Sequence, residues 1–380
     1  MTTLRIGGGS IDVEVVGETI SSVGSTTLPA VSATLDAGGC TVVPGFIDVQ
    51  VNGAVGADLS TEPERVGEVA TYLARCGITS FMPTVISSTP GATAEAIEAL
   101  EGWRRRSAPK DGARSLGVHL EGPFLNPDRG GAHPRSNIRP PSRAEAASWS
   151  HDAGVAMVTL APELPGAIEL IGDLVERGVV VCAGHTDADA GALAAAVAVG
   201  LSGATHLFNA MGSLSARHPG ASGALLDRRD LICGLIVDGL HVDPAMMRVA
   251  WRLLGPERVA LVTDSMAALG LPFGDYVIGE TPVIVGADGA RTADGTLAGS
   301  VLRFDDAVRN LIAFTGCTLA EASIAASATP AALAQRGDIG RLAPGALADI
   351  VLLDRDLQVV ATVVGGSVVF DPEERLSWKS

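Results

Sequence analysis

Short runs of β-branched and apolar residues alternate along the chain with longer Ala-rich stretches, and this alternation predicts strands followed by helices. We predict eight strands, in the segments VVPGFIDVQ, GITSFMPT, SLGVHLEG, GVAMVTLAP, GVVVCAGH, GATHL, LICGLIVD and RVALVTD. Helices are expected between strands, for example over Glu64–Cys76, Ala92–Arg106, Ala144–Asp152 and Ala188–Val199. Eight strand–helix units in about 290 residues match the size of a (β/α)8 TIM-like barrel.

The two ends of the chain have a different pattern, with short strands, Gly-, Ser- and Pro-containing turns and no helical period. Neither end has enough strands for a core of its own, so we expect the two to pair into one small β-sandwich domain. The predicted organisation is α/β, with residues 1–43 and 336–380 forming the small domain around a barrel over 44–335. The segment GETPVIVGADGARTADGTLAGS, after the eighth strand, predicts a hairpin excursion.

Polar residues interrupt the apolar strands near their ends. In PGFIDVQVNG, the side chains of Asp48, Gln50 and Asn52 fall on every second position and therefore share one face. The polar residues at the ends of the other predicted strands are Thr84, Glu121, Glu163, His185, His206, Asp238, His241 and Asp264. Because active sites of TIM barrels lie at the carboxyl ends of the strands, we expect these side chains to converge.

Three of these residues have the chemistry of a catalytic metal centre. Such centres commonly use three His or carboxylate ligands and leave a further position open, and Glu121, His185 and His206 would form such a set. Glu121 lies in the apolar segment HLEGPFL, where an unpaired charge would be costly. A single histidine at a strand end is more often structural, so the prediction depends on the whole group. Asp264 could equally be a helix N-cap after its strand.

Composition limits the class of protein. Of 380 residues, 47% are hydrophobic and 18% charged, which indicates a packed globular protein, and the net charge of −16 argues against nucleic-acid or anionic-membrane partners. No apolar run of 18 residues predicts a membrane span, and the N-terminus MTTLRIGGGS does not resemble a secretory signal. The five cysteines form no C-x-x-C pair, so we expect reduced thiols and a cytoplasmic protein.

A series of motifs extends over nearly the whole chain. VVPGFIDVQVNG, HLEGPFLNP, GAHP, AGHTDA, THLFNAM, ARHPGASGALL, DGLHVDP, LVTDSM and GTLAGS occur in this order, followed by GRLAPGALADIVLLD. In this combination the sequence resembles the N-acetylglucosamine-6-phosphate deacetylase family of the amidohydrolase superfamily. PGFID and the tail mark only the superfamily, whereas HLEGPF, THLFNAM and DGLH in series are specific to the deacetylases.

The resemblance implies metal-dependent hydrolysis of the acetamide of N-acetyl-D-glucosamine 6-phosphate, in amino-sugar catabolism and cell-wall recycling. It implies one divalent ion per subunit, zinc being expected and Fe²⁺ or another divalent ion the alternative, held by Glu121, His185 and His206. Asp264 would be the general base, and His133 would contact the acetamide carbonyl. The implied substrate-binding residues are Ala132, His133, Asn209, Ala210, Arg217, His241, Leu297 and Ala298. A homodimer is expected, with Arg217 or His241 reaching the phosphate across the interface.

Other functions stay open from the sequence. One is an amidohydrolase for another N-acyl amino sugar or a cyclic amide. Binuclear members of that superfamily usually carry H-x-H on the first strand and often a carbamylated lysine, whereas Lys110 and Lys379 lie at no predicted strand end. Another is a barrel that binds a phosphosugar without catalysis, although such a binder would need neither the ligand set nor Asp264.

The first strand bears on the number of metals. Gln50 and Asn52 occupy the positions of the H-x-H histidines, and amides are poor ligands for an ion such as zinc. We therefore predict one metal, with Gln50 and Asn52 as hydrogen-bonding groups at the position of a second ion. Asp48 is expected to anchor the start of the strand, and His119 to support the site or to lie in the core.

Overall fold

The computed structural model describes residues 3–24 and 31–378. Lys379, which enters the argument about a lysine bridge, lies outside the described residues. The chain begins with five short strands whose polar turns break them up: β1 (Thr3–Gly7), β2 (Val13–Val16), β3 (Thr19–Val23), β4 (Ala33–Asp36) and β5 (Thr41–Pro44). In β1 the intermediate and buried residues alternate, as expected for a strand that covers a core with one face.

The central part of the chain supplies the parallel strands of a barrel. The strands of this part are β6 (Phe46–Val51), the two-residue pair β7 (Gly53–Ala54) and β8 (Ala57–Asp58), β9 (Ile78–Ile86), β10 (Arg114–Ser115), β11 (Val118–Glu121), β12 (Val155–Leu160), β13 (Val180–Ala183), β14 (Gly203–Ala204), β15 (Ile232–Leu235) and β16 (Val259–Leu261). Eight of them, β6, β9 and β11 to β16, coincide with the eight predicted strands and pair in sequence order. The predicted TIM-like barrel is therefore confirmed.

The barrel strands β6, β9 and β12 are buried along their whole length, because helices cover the outer side of the sheet. Hydrogen bonds join the first strand to the segment after the last one: the N–H of Asp264 donates to Gln50 O (3.0 Å) and that of Asn52 to Ser265 O (2.8 Å). The two segments joined by these hydrogen bonds form the seam that closes the barrel. Both segments carry residues of the predicted site, so closure of the barrel brings these residues together.

Nine α-helices occur in the described residues: α1 (Val66–Ala74), α2 (Pro90–Arg106), α3 (Ala167–Glu176), α4 (Ala190–Ala198), α5 (Gly220–Asp227), α6 (Pro244–Leu254), α7 (Phe304–Thr315), α8 (Leu319–Ser323) and α9 (Thr329–Leu333). The prediction of a helix over Ala144–Asp152 is wrong, since only a 3₁₀ turn over Glu145–Ser148 forms there. Trp149 turns inward against Phe124, at 5.5 Å between ring centres, which ends the turn. Of the described helices, none is long and apolar enough to cross a membrane.

The predicted excursion after the last barrel strand is a three-stranded antiparallel sheet. It consists of β17 (Gly274–Ile278), β18 (Thr281–Gly286) and β19 (Gly289–Arg291), and thus begins before the predicted segment. The C-terminal strands are β20 (Ile350–Leu353), β21 (Val359–Val364), β22 (Ser367–Phe370) and β23 (Leu376–Trp378).

The two chain ends pair as the sequence predicts. One sheet has the order β23-β4-β1-β2-β3 and the other β22-β21-β20-β5, so each contains strands from both ends. The sheets enclose their own apolar core, which includes Ile6, Leu35 and Ile350. An ion pair of 2.7 Å between Arg114 and the buried Asp349 joins barrel and sandwich. The domain limits at residues 43/44 and 335/336 stay a prediction.

Candidate active site

Three buried side chains meet at the carboxyl end of the barrel, namely Glu121 at the end of β11, His185 just after β13 and His206 just after β14. Nε2 of His185 lies 3.1 Å, and Nε2 of His206 2.8 Å, from Oε1 of Glu121. The two ring nitrogens are 3.2 Å apart. Of the side chains that the structure describes, only this trio could share a metal ion.

The geometry of the trio fits a divalent cation. A tetrahedral ion with bonds of about 2.0–2.1 Å places its ligand atoms roughly 3.3 Å apart, close to the observed separations. Nδ1 of His185 lies 2.8 Å from the carbonyl oxygen of Arg129. Because that oxygen can only accept, the ring proton is on Nδ1 and the lone pair of Nε2 is available to a metal. Nδ1 of His206 is buried and has no hydrogen-bond partner among the described residues.

The charge state of Glu121 also suits a ligand. Burial alone would raise its pKa, but hydrogen bonds with His133, His185 and His206 hold the pKa well below its usual value. For His206 burial would lower the pKa, but the hydrogen bond with Glu121 and the negative charges of Glu121 and Asp264 together raise it above its usual value. Glu121 is therefore an anion at neutral pH, and a cation placed among the three groups would compensate its buried charge.

Asp264 follows β16 and faces the trio from the other side of the barrel seam. Its Oδ1 accepts hydrogen bonds from Asn52 Nδ2 (2.7 Å) and Gln50 Nε2 (3.1 Å). Its Oδ2 has no donor among the described residues. Burial, and after it the charge of Glu121, raises the pKa of Asp264 to about 6. An oriented carboxylate with raised basicity and one free oxygen is suited to accept a proton near neutral pH.

His133 belongs to the loop after β11 and is 7% exposed. Its Nδ1 accepts a hydrogen bond from the backbone N–H of Ser87 (3.2 Å) and lies 2.9 Å from Ser87 Oγ. An acceptor Nδ1 leaves the ring proton on Nε2, which is 3.7 Å from Glu121 Oε2. Burial lowers the pKa of His133 to about 4, with a further contribution from His185. His133 is therefore a neutral hydrogen-bond donor inside the site.

The polar side chains of β6, and that of Asn52 just after it, have different hydrogen-bond partners. Gln50 Nε2 donates to Glu121 Oε1 (3.0 Å) as well as to Asp264, so its amide nitrogen lies between the two carboxylates. The Oδ1 of Asn52 is buried and has no partner among the described residues. Asp48 accepts hydrogen bonds from the N–H and hydroxyl of Thr263, and thereby joins β6 to the segment after β16. Burial raises the pKa of Asp48 to about 7.

His119 is part of the core beneath the trio. Its Nδ1 lies 2.9 Å from Val49 O and its Nε2 2.8 Å from Thr159 Oγ1, so neither nitrogen is free for a metal. Burial lowers its pKa to about 4. His119 thus supports the strands that carry the site.

A cavity of about 290 Å³ opens above the trio. The predicted site residues that line it are Asn52, Glu121, Ala132, His133, His185, His206, Asn209, Ala210, His241, Asp264 and Leu297. Ala298 is buried beside Leu297, and its N–H donates to Ala290 O (3.0 Å). Arg217 is exposed and is not among the described residues that line the cavity.

His241 is oriented by a neighbouring carboxylate. Its Nδ1 lies 2.7 Å from Oδ2 of Asp238, whose Oδ1 accepts the backbone N–H of His241. Burial alone would raise the pKa of Asp238, but its contacts with the His241 side chain and with the backbone N–H groups of His241 and Leu240 together hold it below its usual value. The Nε2 of His241 is thereby left for contacts in the cavity.

Several residues of the site were not predicted from the sequence. Ser87 forms a hydrogen bond with His133, and Ile86 and Ile278 line the cavity. The local sequence around these three residues gives no indication of these roles. Phe208 also lines the cavity, and its position inside the motif THLFNAM could have indicated it.

The backbone of the site is strained. Nine described non-glycine residues have a positive φ, and five of them lie here: His185, His206, Phe208, Ala210 and Asp264, at 50°, 30°, 79°, 49° and 50°. Such conformations cost about 1–3 kcal/mol each and persist where the surroundings enforce them, typically at functional sites. Four of the five, His185, His206, Ala210 and Asp264, are residues of the predicted site.

Known proteins are similar to this chain in sequence and fold. The sequence profile of the amidohydrolase family matches residues 41–369. N-acetylglucosamine-6-phosphate deacetylase of Bos taurus is 40% identical over 355 residues, which cover 89% of this chain and 86% of the relative. The Bacillus subtilis (strain 168) deacetylase is 35% identical over 338 residues, covering 88% and 85%.

A solved structure extends the comparison to a bound substrate. A mutant of the Mycobacterium smegmatis deacetylase in complex with N-acetyl-D-glucosamine 6-phosphate has a TM-score of 0.88 at 33% identity, covering 97% of this chain and 99% of that one. These matches confirm the resemblance inferred from the motifs. The chain belongs to the amidohydrolase family, in its group of N-acetylglucosamine-6-phosphate deacetylases.

Proposed function

We propose that the protein hydrolyses the acetamide of N-acetyl-D-glucosamine 6-phosphate to D-glucosamine 6-phosphate and acetate, in amino-sugar catabolism and cell-wall recycling. The observation that carries this proposal is the buried trio of Glu121, His185 and His206, with Asp264 and His133 on the same cavity. The relatives named for this reaction, and the complex of one of them with the phosphosugar, support the choice of substrate.

We assign one divalent metal ion to Glu121, His185 and His206, with zinc as the expected metal and Fe²⁺ as an alternative. When bound, a divalent cation lowers the pKa of water and polarises a carbonyl oxygen. The anionic Glu121, the free Nε2 of His185 and Nε2 of His206 would supply the ligands. Two histidines and one carboxylate suit zinc and also tolerate neighbouring transition metals.

Asp264 moves the proton that hydrolysis requires. As a water oxygen forms its bond to the acetyl carbon, Oδ2 of Asp264 takes a proton from that water. The protonated carboxyl group then gives the proton to the amide nitrogen as the carbon–nitrogen bond breaks, so that the amino sugar leaves as a neutral amine. The raised pKa of Asp264 makes both transfers feasible in one site.

His133 stabilises the carbonyl oxygen during attack. Its Nε2–H, fixed by the contact of Nδ1 with Ser87, donates to the acetyl oxygen as negative charge develops there. Because burial lowers the pKa of His133 to about 4, below the value of about 6 for Asp264, the ring is the weaker base and does not compete with Asp264 for the proton.

The phosphate group is proposed to lie on the side of Asn209, Ala210 and His241. Arg217 is expected to add a bidentate, charge-assisted contact to the phosphate. Its exposed position outside the cavity of its own chain supports a homodimer in which Arg217 reaches the partner's site. We further propose that the protein is cytoplasmic, since all five cysteines are buried and free.

We propose that Gln50 and Asn52 limit the site to one metal. Both side chains direct amide N–H groups at carboxylates, and an amide nitrogen is not a metal ligand. Metal analysis of the purified protein should give a ratio near one ion per chain. A ratio near two would overturn this assignment.

The decisive assay measures acetate release from N-acetylglucosamine 6-phosphate and from the unphosphorylated sugar. We expect turnover of the phosphorylated sugar only, and a loss of about 10²- to 10⁴-fold in kcat for Asp264→Asn. Metal content and melting temperature of the variant serve as controls for its fold. Equal rates on both sugars would contradict the proposal that the enzyme recognises the phosphate group. If the wild type binds the phosphosugar without turnover, a non-catalytic phosphosugar-binding barrel is favoured.

A further inference from the structure

The cavity has two chemically different sides. Ile86, at the end of β9, and Ile278, in the sheet inserted after β16, line the cavity and are each 4% exposed. Asn209 and His241 line it from the segments after β14 and β15, elsewhere in the strand order, and offer polar groups. The proposed substrate also has two different ends, an apolar acetyl methyl group and a charged phosphate. A methyl group gains free energy from leaving water, but a phosphate needs donors, so the two ends suit opposite sides.

Ile86 lies beside the position where the amide bond would be cleaved. It is the last residue of β9 and pairs in register with Glu121 of β11. Residues paired across neighbouring strands point to the same face, so Ile86 lies next to the metal-binding carboxylate. The following residue, Ser87, forms the hydrogen bonds to His133. The apolar side of the cavity therefore adjoins the proposed site of the acetyl carbonyl group.

Ile278 completes this apolar side from the sheet inserted after β16. Exposed and buried residues alternate at the end of β17, where Val277 is 47% exposed and Ile278 only 4%. The next residue is Gly279, at φ 56°, and a Cβ at this position would lie 2.8 Å from Cδ1 of Ile86. Only a glycine lets the end of β17 approach Ile86 so closely.

We propose that Ile86 and Ile278 form the seat of the acyl methyl group and make the enzyme selective for acetyl over longer acyl groups. This assignment rests on the proposed deacetylase function. An acetyl methyl group occupies the seat, whereas a propionyl or butyryl chain has to displace one of the two isoleucines. Displacement is unfavourable because both side chains are packed in one apolar cluster.

A buried carboxylate fixes the distance between the two isoleucines. Oδ2 of Asp58 accepts the N–H of Gly279 at 2.8 Å, and Oδ1 accepts the N–H of Ser60 at 2.9 Å. Oγ of Ser60 in turn accepts the N–H of Ile86 at 3.0 Å. Asp58 thus connects both walls of the seat and acts as a positioning residue for acyl selectivity.

The test compares kcat/KM for the N-acetyl, N-propionyl and N-butyryl derivatives of glucosamine 6-phosphate. We expect the wild type to prefer acetyl over butyryl, and Ile278→Ala to reduce that preference by about 10- to 100-fold. Val277→Ala is the matched control, because it removes side-chain carbons from the neighbouring exposed position and should leave the preference unchanged. Ile278→Val, which removes one methyl group, should change the propionyl preference roughly fourfold and also covers the case that Ile278→Ala does not fold.

The outcomes separate this proposal from the proposed function. A wild type that releases no acetate from the phosphosugar contradicts the deacetylase function itself. If the wild type is active but Ile278→Ala has the same acyl preference as the wild type, the acyl seat alone is overturned. Where Ile278→Ala does not fold, the same conclusion follows from an unchanged preference in Ile278→Val. An equal change in Val277→Ala also overturns it, because the effect would then come from the whole inserted sheet.

The role of Asp58 has its own readout. Asp58→Asn places an amide N–H against a backbone N–H and should loosen the seat, so that the acetyl-over-butyryl preference falls by a smaller factor than in Ile278→Ala. Asp58→Glu, which keeps both acceptor oxygens, should retain more of the preference. A lower melting temperature of Asp58→Asn with an unchanged acyl preference would limit Asp58 to a structural role.

Discussion

The trio proposed to bind the metal and the loop of residues 213–219, proposed to contact the phosphate, are built in two different ways. Glu121, His185 and His206 follow barrel strands, are 3–4% exposed, and contact one another at 2.8–3.2 Å. The loop that carries Arg217 is exposed throughout, and its own hydrogen bonds run between Ser215 and His218. Within the described part of the chain, Arg217 forms neither an ion pair nor a hydrogen bond.

The difference indicates a division of labour. Cleavage chemistry needs atoms placed to a fraction of an ångström, and strand ends with a packed core beneath them provide this within one chain. In the proposed homodimer, Arg217 would form its contact with the phosphate only when the substrate and the second copy are both present. The trio should therefore depend on its own chain only, and Arg217 on a second copy.

The largest effect is expected at the trio. His206→Ala removes one of three ligands, so we expect loss of the bound metal and a fall in kcat/KM of at least about 10³-fold, because the cation supplies several kcal/mol of charge stabilisation. Elemental analysis and acetate release measure the two losses. His151→Ala is the matched control, since that side chain is 63% exposed and lies apart from the trio. Full metal content in His206→Ala would reject the ligand set.

An intermediate effect is expected in the loop. Arg217→Ala should raise KM for the phosphorylated sugar by about 10- to 100-fold, the value of a charge-assisted hydrogen bond, with little change in kcat. Arg229→Ala, which removes another exposed arginine close in sequence, is the control for net charge. An unchanged KM in Arg217→Ala would exclude this residue from the phosphate site.

Mixed dimers test which chain supplies Arg217. One chain carries Arg217→Ala and the other Asp264→Asn, and each homodimer is impaired. If Arg217 acts across the interface, the mixed dimer contains one complete site, formed by Asp264 of the first chain and Arg217 of the second. Acetate release at low substrate should then recover to about half of the wild-type value. If Arg217 acts within its own chain, no site is complete and activity stays low.

The trio could be predicted from the sequence because its position follows from topology. Strand ends of a barrel converge wherever the strands are, so Glu121, His185 and His206 needed only correct strand assignments and a plausible ligand chemistry. The eight strands were in turn predictable, because strands buried on both faces appear as continuous β-branched runs.

Contacts that depend on tertiary approach could not be predicted. Ser87 contacts His133 across 46 residues of sequence, and nothing in the segment ISS distinguishes it from any polar turn. Ile278 reaches the cavity only because Gly279 allows close packing against Ile86. The helix expected over Ala144–Asp152 failed for a similar reason, since packing of Trp149 overrides the helical propensity of the alanines.

The smallest effect is expected at Asn52, whose side chain contacts Asp264, the proposed base. Its Nδ2 donates to Oδ1 of Asp264 and thereby lowers the pKa of that carboxyl group, against the larger effect of burial. Asn52→Leu removes the donor, so the pKa of Asp264 should rise by about one to two units, since a hydrogen bond to a charged group contributes roughly 1.5–3 kcal/mol. Because the base works only when deprotonated, the acid limb of the kcat/KM profile should move to higher pH, while the rate at alkaline pH falls less than tenfold. Asn209→Leu, which alters another cavity amide without contact to Asp264, should leave the acid limb in place. If the limb moves to lower pH in Asn52→Leu, or moves equally in both variants, Asn52 does not tune the base, and its buried amide serves only the closure of the barrel.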